Sequence, residues 1–325
     1  MDILSQAVFG ASTYAVAKGE ATTKGDLLWG MALGMLVDAD VFLGLGMNSV
    51  DALVNHRSWS HSALVAVLAT AGIGWSQGKW GKRGMTSRDW FAIFIAIHTH
   101  VWLDALTTYG TQIGFPFSTN LVAWDVMHVF HPIATLVLVL PWLWSAFNQP
   151  QNWGRVGLTS LGAFAVFLAW PLTSKSLAIK AMNTSELPTA CTVRAVPTAF
   201  NSWIWQGVVN AGDSMGFATI HVGQDETVIW NWVQSDCAAL ARLADSKQVQ
   251  NYLKYTGPDA LIERDSVRGE TRIYAAKFGP INYEGEPQFV YPLVVKDGSL
   301  SGEIRKEDMY TGPWSNFGEL WSRLR

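Results

Sequence analysis

The stretch AIHTHVWLDALTTYG, residues 96–110, follows DWFAIFI at 89–95 without a break. Together they are long enough to cross a bilayer as a helix, for which roughly 20 apolar residues suffice. Yet His98, His100 and Asp104 sit near one end of this run. A charged side chain at mid-bilayer depth costs about 2.5–3.5 kcal/mol on insertion scales, less near the interface. Such groups need a compensating partner elsewhere in the chain.

Five further segments read as helices of near-spanning length: 2–17, 26–46, 61–77, 131–147 and 155–176. Several are short or broken by polar residues. The first has no basic start, and Asp2 stands where a signal peptide would carry Lys or Arg. Charge follows the same division. Residues 1–178 hold nine acidic and nine basic side chains, whereas the remaining 147 hold 17 and 14. Beyond residue 180, TRIYAAKFG, QFVYPLVVKDGSLSGEIRK and FATIHVG…ETVIWNW alternate β-branched or aromatic residues with polar ones between Gly, Asp and Pro turns. DSKQVQNYLKYTG, residues 245–257, reads as a helix with an Asp N-cap and a Gly stop. The expected architecture is a multi-helix, membrane-embedded α domain over 1–178, followed by a soluble α+β domain over 179–325. The net charge of −3 argues against a nucleic-acid partner, which would need a basic patch. The two cysteines, Cys191 and Cys237, lack metal-ligand spacing. They form one disulfide in an oxidising compartment or stay as two thiols, and spacing does not decide.

Six of the seven histidines fall between positions 56 and 131. If the segments alternate through the membrane, Asp2, Asp38, Asp40, His56, His61, His100, Asp104 and His131 all reach one face. The C-terminal domain emerges there too. Gathered carboxylates repel one another, and a divalent cation removes that penalty. Carboxylate oxygens and neutral imidazoles suit zinc first, then manganese or iron. His100 and Asp104 lie four apart and share a helix face, while His98 points elsewhere. The bland alternative for any one of these groups is a helix–helix hydrogen bond. His56 and Arg57 are ambiguous between ligand support, anion binding and interfacial anchoring. Asp51 reads as a loop residue or cap, Asp125 and His128 as site residues or a polar loop, and His221 as an isolated strand histidine.

Basic residues set the expected orientation. Lys18, Lys24, Lys79, Lys82, Arg83, Arg88 and Arg155 fall on one side, against Arg57 and Lys175 on the other. The positive-inside rule puts the first group in the cytoplasm, so the polar cluster and the C-terminal domain face the periplasm or exterior.

Taken in order, MDILSQAVFGAS (1–12), GMLVDADV (34–41), HRSWSHS (56–62) and HTHVWLDALTTYGTQIGFPFS (98–118) resemble the membrane-bound metal-dependent hydrolase family. That family includes the LexA-regulated inner-membrane proteins of bacteria and is distantly similar to zinc-dependent phospholipase C. The resemblance covers roughly residues 1–140. It implies a bacterial inner-membrane hydrolase with Asp38, Asp40, His61, His100 and Asp104 at the metal and His56 and Arg57 flanking. Asp38, Arg57, His61 and Asp104 would then carry the catalysis. The sequence departs from the pattern at four places: Val37 stands for the usual Pro, Ser58-Trp59 for Gly-x, Gln6 for a His of some relatives, and His131 for an Asp before Pro; His56 and His131 stay in the expected ligand set beside the five. A small-molecule or lipid-like ester or phosphoester, reached from the bilayer, is the implied substrate. The rival expectation is a non-catalytic membrane protein, a transporter or envelope-stress factor, with a structural metal. Few polar residues lie inside segments three, five and six, which counts against transport.

Overall fold

The computed structural model describes residues 1–81, 84–148, 152–224, 227–279 and 292–305. Lys82, Arg83, residues 288–291 of the expected QFVYPLVV strand and everything after 305 lie outside that set.

Each of the six apolar segments forms a helix. They are α1 (Ile3–Lys18), α2 (Lys24–Leu36), α4 (Ala63–Trp80), α5 (Ser87–Ala105), α6 (Pro132–Asn148) and α7 (Trp153–Asn183); the short α3 (Ser49–Asn55) lies between α2 and α4. Their starts are locally encoded. Thr23 with Asp26 and Thr86 with Asp89 form capping boxes, each satisfying two otherwise orphaned backbone groups. Lys18 bridges both carboxylates, at 3.1 Å from Asp26 and 2.8 Å from Asp89, and so staples the starts of α2 and α5 to the end of α1. By length and composition, Lys24–Gly44 and Trp153–Asn183 can cross a membrane, and α6 is a shorter apolar helix. Apolar side chains cover the outer faces: Leu28, Leu68, Trp75, Leu140, Trp144, Leu158 and Val166 are all exposed.

The hub is α1, which packs against α2, α5, α6 and α7. Small residues permit this. A methyl group added at Gly10 would stand 2.5 Å from the Gly30 carbonyl oxygen, and one added at Gly157 would stand 2.6 Å from that of Ser12. Backbones touch at both crossings, as helices do in lipid, where packing rather than water expulsion drives association. Apolar packing on the two flanks of α5 completes the bundle: Ile93, Ile97 and Val101 face Tyr14 and Leu33, and Leu103 joins Val8, Leu138 and Phe164.

The C-terminal region holds two antiparallel four-stranded sheets, ordered β1-β2-β3-β4 and β5-β6-β7-β8. The strands are Thr192–Pro197, Ile204–Asn210, Ser214–His221 and Asn231–Gln234, then Ala260–Asp265, Glu270–Ala275, Leu293–Lys296 and Gly302–Ile304. Helices α8 (Cys237–Ala241) and α9 (Lys247–Thr256) lie between the sheets in sequence. The cap of α9 is Ser246 and not the expected Asp245: Ser246 Oγ accepts from the Val249 amide at 3.2 Å, and Gly257 ends the helix at φ +66°. Cys191 and Cys237 are free thiols.

The two regions pack directly against each other. With 31 residues α7 is about 46 Å long, well beyond a hydrocarbon core of about 30 Å. Its last turns carry Ala178 and Met182 into the core of the first sheet, against Ala195, Trp205 and Ile220. Val50 of α3 is fully buried among Val249, Tyr252 and Ile273 of the second. The C-terminal region thus sits at the end of the bundle where α2 stops and α4 starts.

Candidate metal centre

Three chain segments meet at that end. Beyond α2 the chain tightens into a 3-10 turn, Val37–Gly44, which carries Asp38 and Asp40. At three residues per turn, side chains two apart diverge, so the two carboxylates approach His61 at opposite nitrogens, Asp38 at Nε2 and Asp40 at Nδ1. His61 closes a second 3-10 turn, Trp59–His61, just before Ser62 caps α4. One turn apart on α5, His100 and Asp104 share a face.

Four donor atoms converge. His61 Nε2 lies 3.3 Å from Asp38 Oδ1 and 3.2 Å from Asp104 Oδ2. His100 Nε2 lies 3.3 Å from Asp38 Oδ1, 3.4 Å from Asp104 Oδ2 and 3.3 Å from His61 Nε2. Hydrogen bonds on the far sides of the rings assign the tautomers. His100 Nδ1 is 2.6 Å from the Gly34 carbonyl oxygen, which only accepts, so Nδ1 holds a proton and, in the neutral ring, Nε2 offers the lone pair. Ser60 Oγ gives its proton to Asp40 Oδ2 at 2.6 Å, and its oxygen accepts from His61 Nδ1 at 3.0 Å. In the neutral ring, His61 Nε2 is then the nitrogen that offers a lone pair. Asp38 Oδ1 and Asp104 Oδ2 are buried and receive no hydrogen bond among the described residues. The four residues form a group able to hold a metal ion.

The remaining Asp104 oxygen is heavily satisfied. Oδ1 accepts from the Met1 amino group, from Gln6 Nε2 at 3.0 Å and from Arg57 Nη2 at 3.1 Å. Arg57 is held hard: its Nη1 donates to Thr107 Oγ1 at 3.0 Å, and its guanidinium lies 4.7 Å over the Tyr109 ring. Its backbone adopts φ +61°, left-handed for a non-glycine residue, at a cost on the order of 1–3 kcal/mol. That conformation turns the Arg57 amide onto Asp40 Oδ2 at 3.2 Å and its carbonyl onto the Gln112 amide at 3.0 Å.

The other expected site residues sort themselves by position. Asp40 backs His61 and also contacts His56 Nδ1 at 3.0 Å; with Asp38 these make a second, overlapping group. His131 is not part of the cluster. Its Nδ1 accepts from the Ala134 amide and its Nε2 contacts Ser202 Oγ at 2.9 Å, so the ring ties the start of α6 to the C-terminal region. His98 bonds the Phe94 carbonyl and stacks on that ring, facing away as expected. His128 contacts the backbone of Phe130. Asp125 belongs to the regional interface: Arg194 of β1 grips both its oxygens and reaches Asp259 at 2.6 Å. Burial opposes the Arg194 charge, but Asp125 and Asp259 together raise its pKa. Asp2 caps α1 through the Ser5 amide and hydroxyl, and Asp51 accepts from Asn48, the cap of α3.

Residues 1–178 match the family model described as the YdjM inner membrane protein. The chain belongs to the YdjM inner membrane protein family. A curated relative, inner membrane protein YbcI of Escherichia coli (strain K12), is 27% identical over 129 residues, covering 39% of this chain and 69% of its own length. No solved structure matches. The family match spans the helical bundle, including every member of the metal-binding group, and ends within α7. These names carry inner-membrane residence and no activity.

Sequence reading did not single out Gly34, Ser60, Thr107 or Tyr109 as supports. Ser60 sits between two histidines, which is a signal of sorts. The Gly34 carbonyl left none, because every residue has one and only helix packing aims it.

Proposed function

We propose that this YdjM-family protein is a membrane-bound, metal-dependent hydrolase acting on an ester or phosphoester. One observation carries the reading: Asp38, His61, His100 and Asp104 each bring one buried ligand atom within 4.8 Å of the others. A tetrahedral zinc ion with bonds of about 2.0–2.1 Å needs donor separations of about 3.3–3.4 Å, and the five separations given above are 3.2–3.4 Å. Asp38, His61, His100 and Asp104 would hold it. When bound, such an ion polarises a substrate oxygen and lowers the pKa of water to about 7. Asp40 and Ser60 fix the His61 tautomer, and the Gly34 carbonyl fixes that of His100. His56, partly exposed and backed by Asp40, is placed to exchange a proton with a leaving group. Arg57, already committed to Asp104, counters charge at the rim of the site.

Location favours an amphiphilic substrate. The 3-10 turn that carries Asp38 inward also presents Val41, Phe42 and Leu43 outward, each more than half exposed. A lipid-like tail would lie against these residues while its headgroup reaches Asp38, the most accessible of the four at 23% side-chain exposure. In this reading the six long helices lie in the bacterial inner membrane, with the site and C-terminal region on the periplasmic side.

The four-donor count also favours a second reading, a structural metal, because four protein ligands close a tetrahedral ion. Cobalt-substituted protein in detergent separates the two. An absorption spectrum that shifts on adding azide or phosphate marks an exchangeable position and supports hydrolysis; an inert spectrum supports the structural ion. Wild-type protein that retains no more zinc than His100→Ala and Asp104→Ala variants overturns both.

A further inference from the structure

The metal-binding group lies wholly within residues 1–178, yet the structure ties it to a lysine a hundred residues beyond the family match. Lys277, just after β6, is 3% exposed. Its Nζ donates to the Tyr109 carbonyl at 3.1 Å and the Tyr255 carbonyl at 2.5 Å, and lies 4.2 Å over the Tyr255 ring. No carboxylate pairs with it among the described residues. A buried ammonium spent on two carbonyls is expensive, so the arrangement asks what those carbonyls control.

Tyr109 leads directly to the metal-binding group. Its ring carries the Arg57 guanidinium at 4.7 Å and meets the His56 ring edge-on at 5.7 Å. Its hydroxyl donates to the Leu53 carbonyl at 3.0 Å, fixing the ring from the other side. Two residues earlier, Thr107 accepts from Arg57 and donates to the Asp104 carbonyl at 2.8 Å. The turn at 107–110 therefore positions Arg57, and Arg57 orients the Asp104 carboxylate whose other oxygen faces the two imidazoles.

We propose that Lys277 is a positioning residue for the metal centre: by holding the Tyr109 carbonyl it fixes the 107–110 turn and, through Tyr109 and Thr107, keeps Arg57 on Asp104. The C-terminal region thus completes the centre without supplying a ligand. This rests on the metal reading above. Outer supports of this kind change metal affinity 10- to 100-fold when removed, and Lys277 acts through two intermediates, so the low end applies.

The test uses the full-length protein in detergent and zinc competition against a chromogenic chelator. Lys277→Met keeps the apolar stem and removes the donors; it should weaken zinc about tenfold. Lys277→Gln restores amide donors without charge and should return to within threefold of wild type. Asn251→Ala removes a different contact between the regions, the 3.2 Å bond to Asp51, and should leave zinc affinity and the cobalt spectrum unchanged. The proposal is overturned if Lys277→Met stays within twofold of wild type, if Lys277→Gln binds as weakly as Lys277→Met, or if Asn251→Ala weakens zinc equally. Wild type that binds zinc while Lys277→Met does so just as well refutes this inference alone. Wild type without zinc removes the metal reading with it.

Discussion

Gly34→Ala tests whether helix packing and the proposed metal centre are one structure. Gly34 faces α1 at its closest approach to α2, and a methyl group there would stand 2.5 Å from the Gln6 carbonyl oxygen and 3.0 Å from Gly10 Cα. Both neighbours are backbone, so the helices must part by roughly 0.8 Å to reach ordinary contact. Overpacking of this kind costs about 1–3 kcal/mol, offset by the roughly 1 kcal/mol that Ala gains over Gly inside a helix. Net stability should therefore fall by no more than about 2 kcal/mol. The centre should suffer more. The Gly34 carbonyl holds His100 Nδ1 at 2.6 Å, and the same displacement moves Gln6, which donates to Asp104. A comparable shift stretches the His100 bond to about 3.4 Å, outside hydrogen-bonding range. Zinc affinity, read by chelator competition, should drop at least tenfold. Gly162→Ala on α7, where an added methyl meets nothing within 4 Å, is the matched control and should bind as wild type does. Gly34→Ala with zinc affinity within twofold of that control would refute the reasoning.

Burial first, and then the Arg194 charge, push the Lys277 pKa down to about 7, with Asp125 and Asp259 opposing. The unfolded chain, with an ordinary lysine near 10.4, binds more protons between those values. Wild type should gain stability relative to Lys277→Met as pH rises from about 7 to 10, by at most about 1.4 kcal/mol per unit, with no change below 7; a flat difference in melting temperature over pH 6–10 contradicts this. Arg194→Met strands the buried Asp125 and Asp259 carboxylates and should destabilise the contact between the regions by about 3–5 kcal/mol, seen as faster limited proteolysis. Unchanged cleavage would show that the ion pairs are dispensable. An alkaline phosphatase fused after the C-terminus should be active and a fluorescent protein that folds only in the cytoplasm dark; the opposite pair of signals reverses the orientation.

How much of this could be read from the chain follows from the range of each interaction. The six long helices were legible because a helix is specified by consecutive apolar residues and local caps, such as the Thr23–Asp26 box. His100 and Asp104 could be paired from a spacing of four, and His98 turned away for the same reason. Local pattern also misled: Asp245 looks like the cap of α9 by type, but Ser246 has the backbone geometry to accept from Val249. His131 shares its type and its end of the bundle with His61, yet points to Ser202. Which imidazole meets which carboxylate depends on the rotation of each helix about its axis, and that is set by crossings such as Gly10 on Gly30 and Gly34. Composition and periodicity thus determined by themselves that helices form and that ionisable groups gather at one end. Tertiary structure alone gathered Asp38, His61, His100 and Asp104 from among eight candidates, aimed the Gly34 carbonyl at one of them, and brought Lys277 across 168 residues to Tyr109. Those choices rest on contacts between backbones far apart in sequence, and no short window of residues contains them.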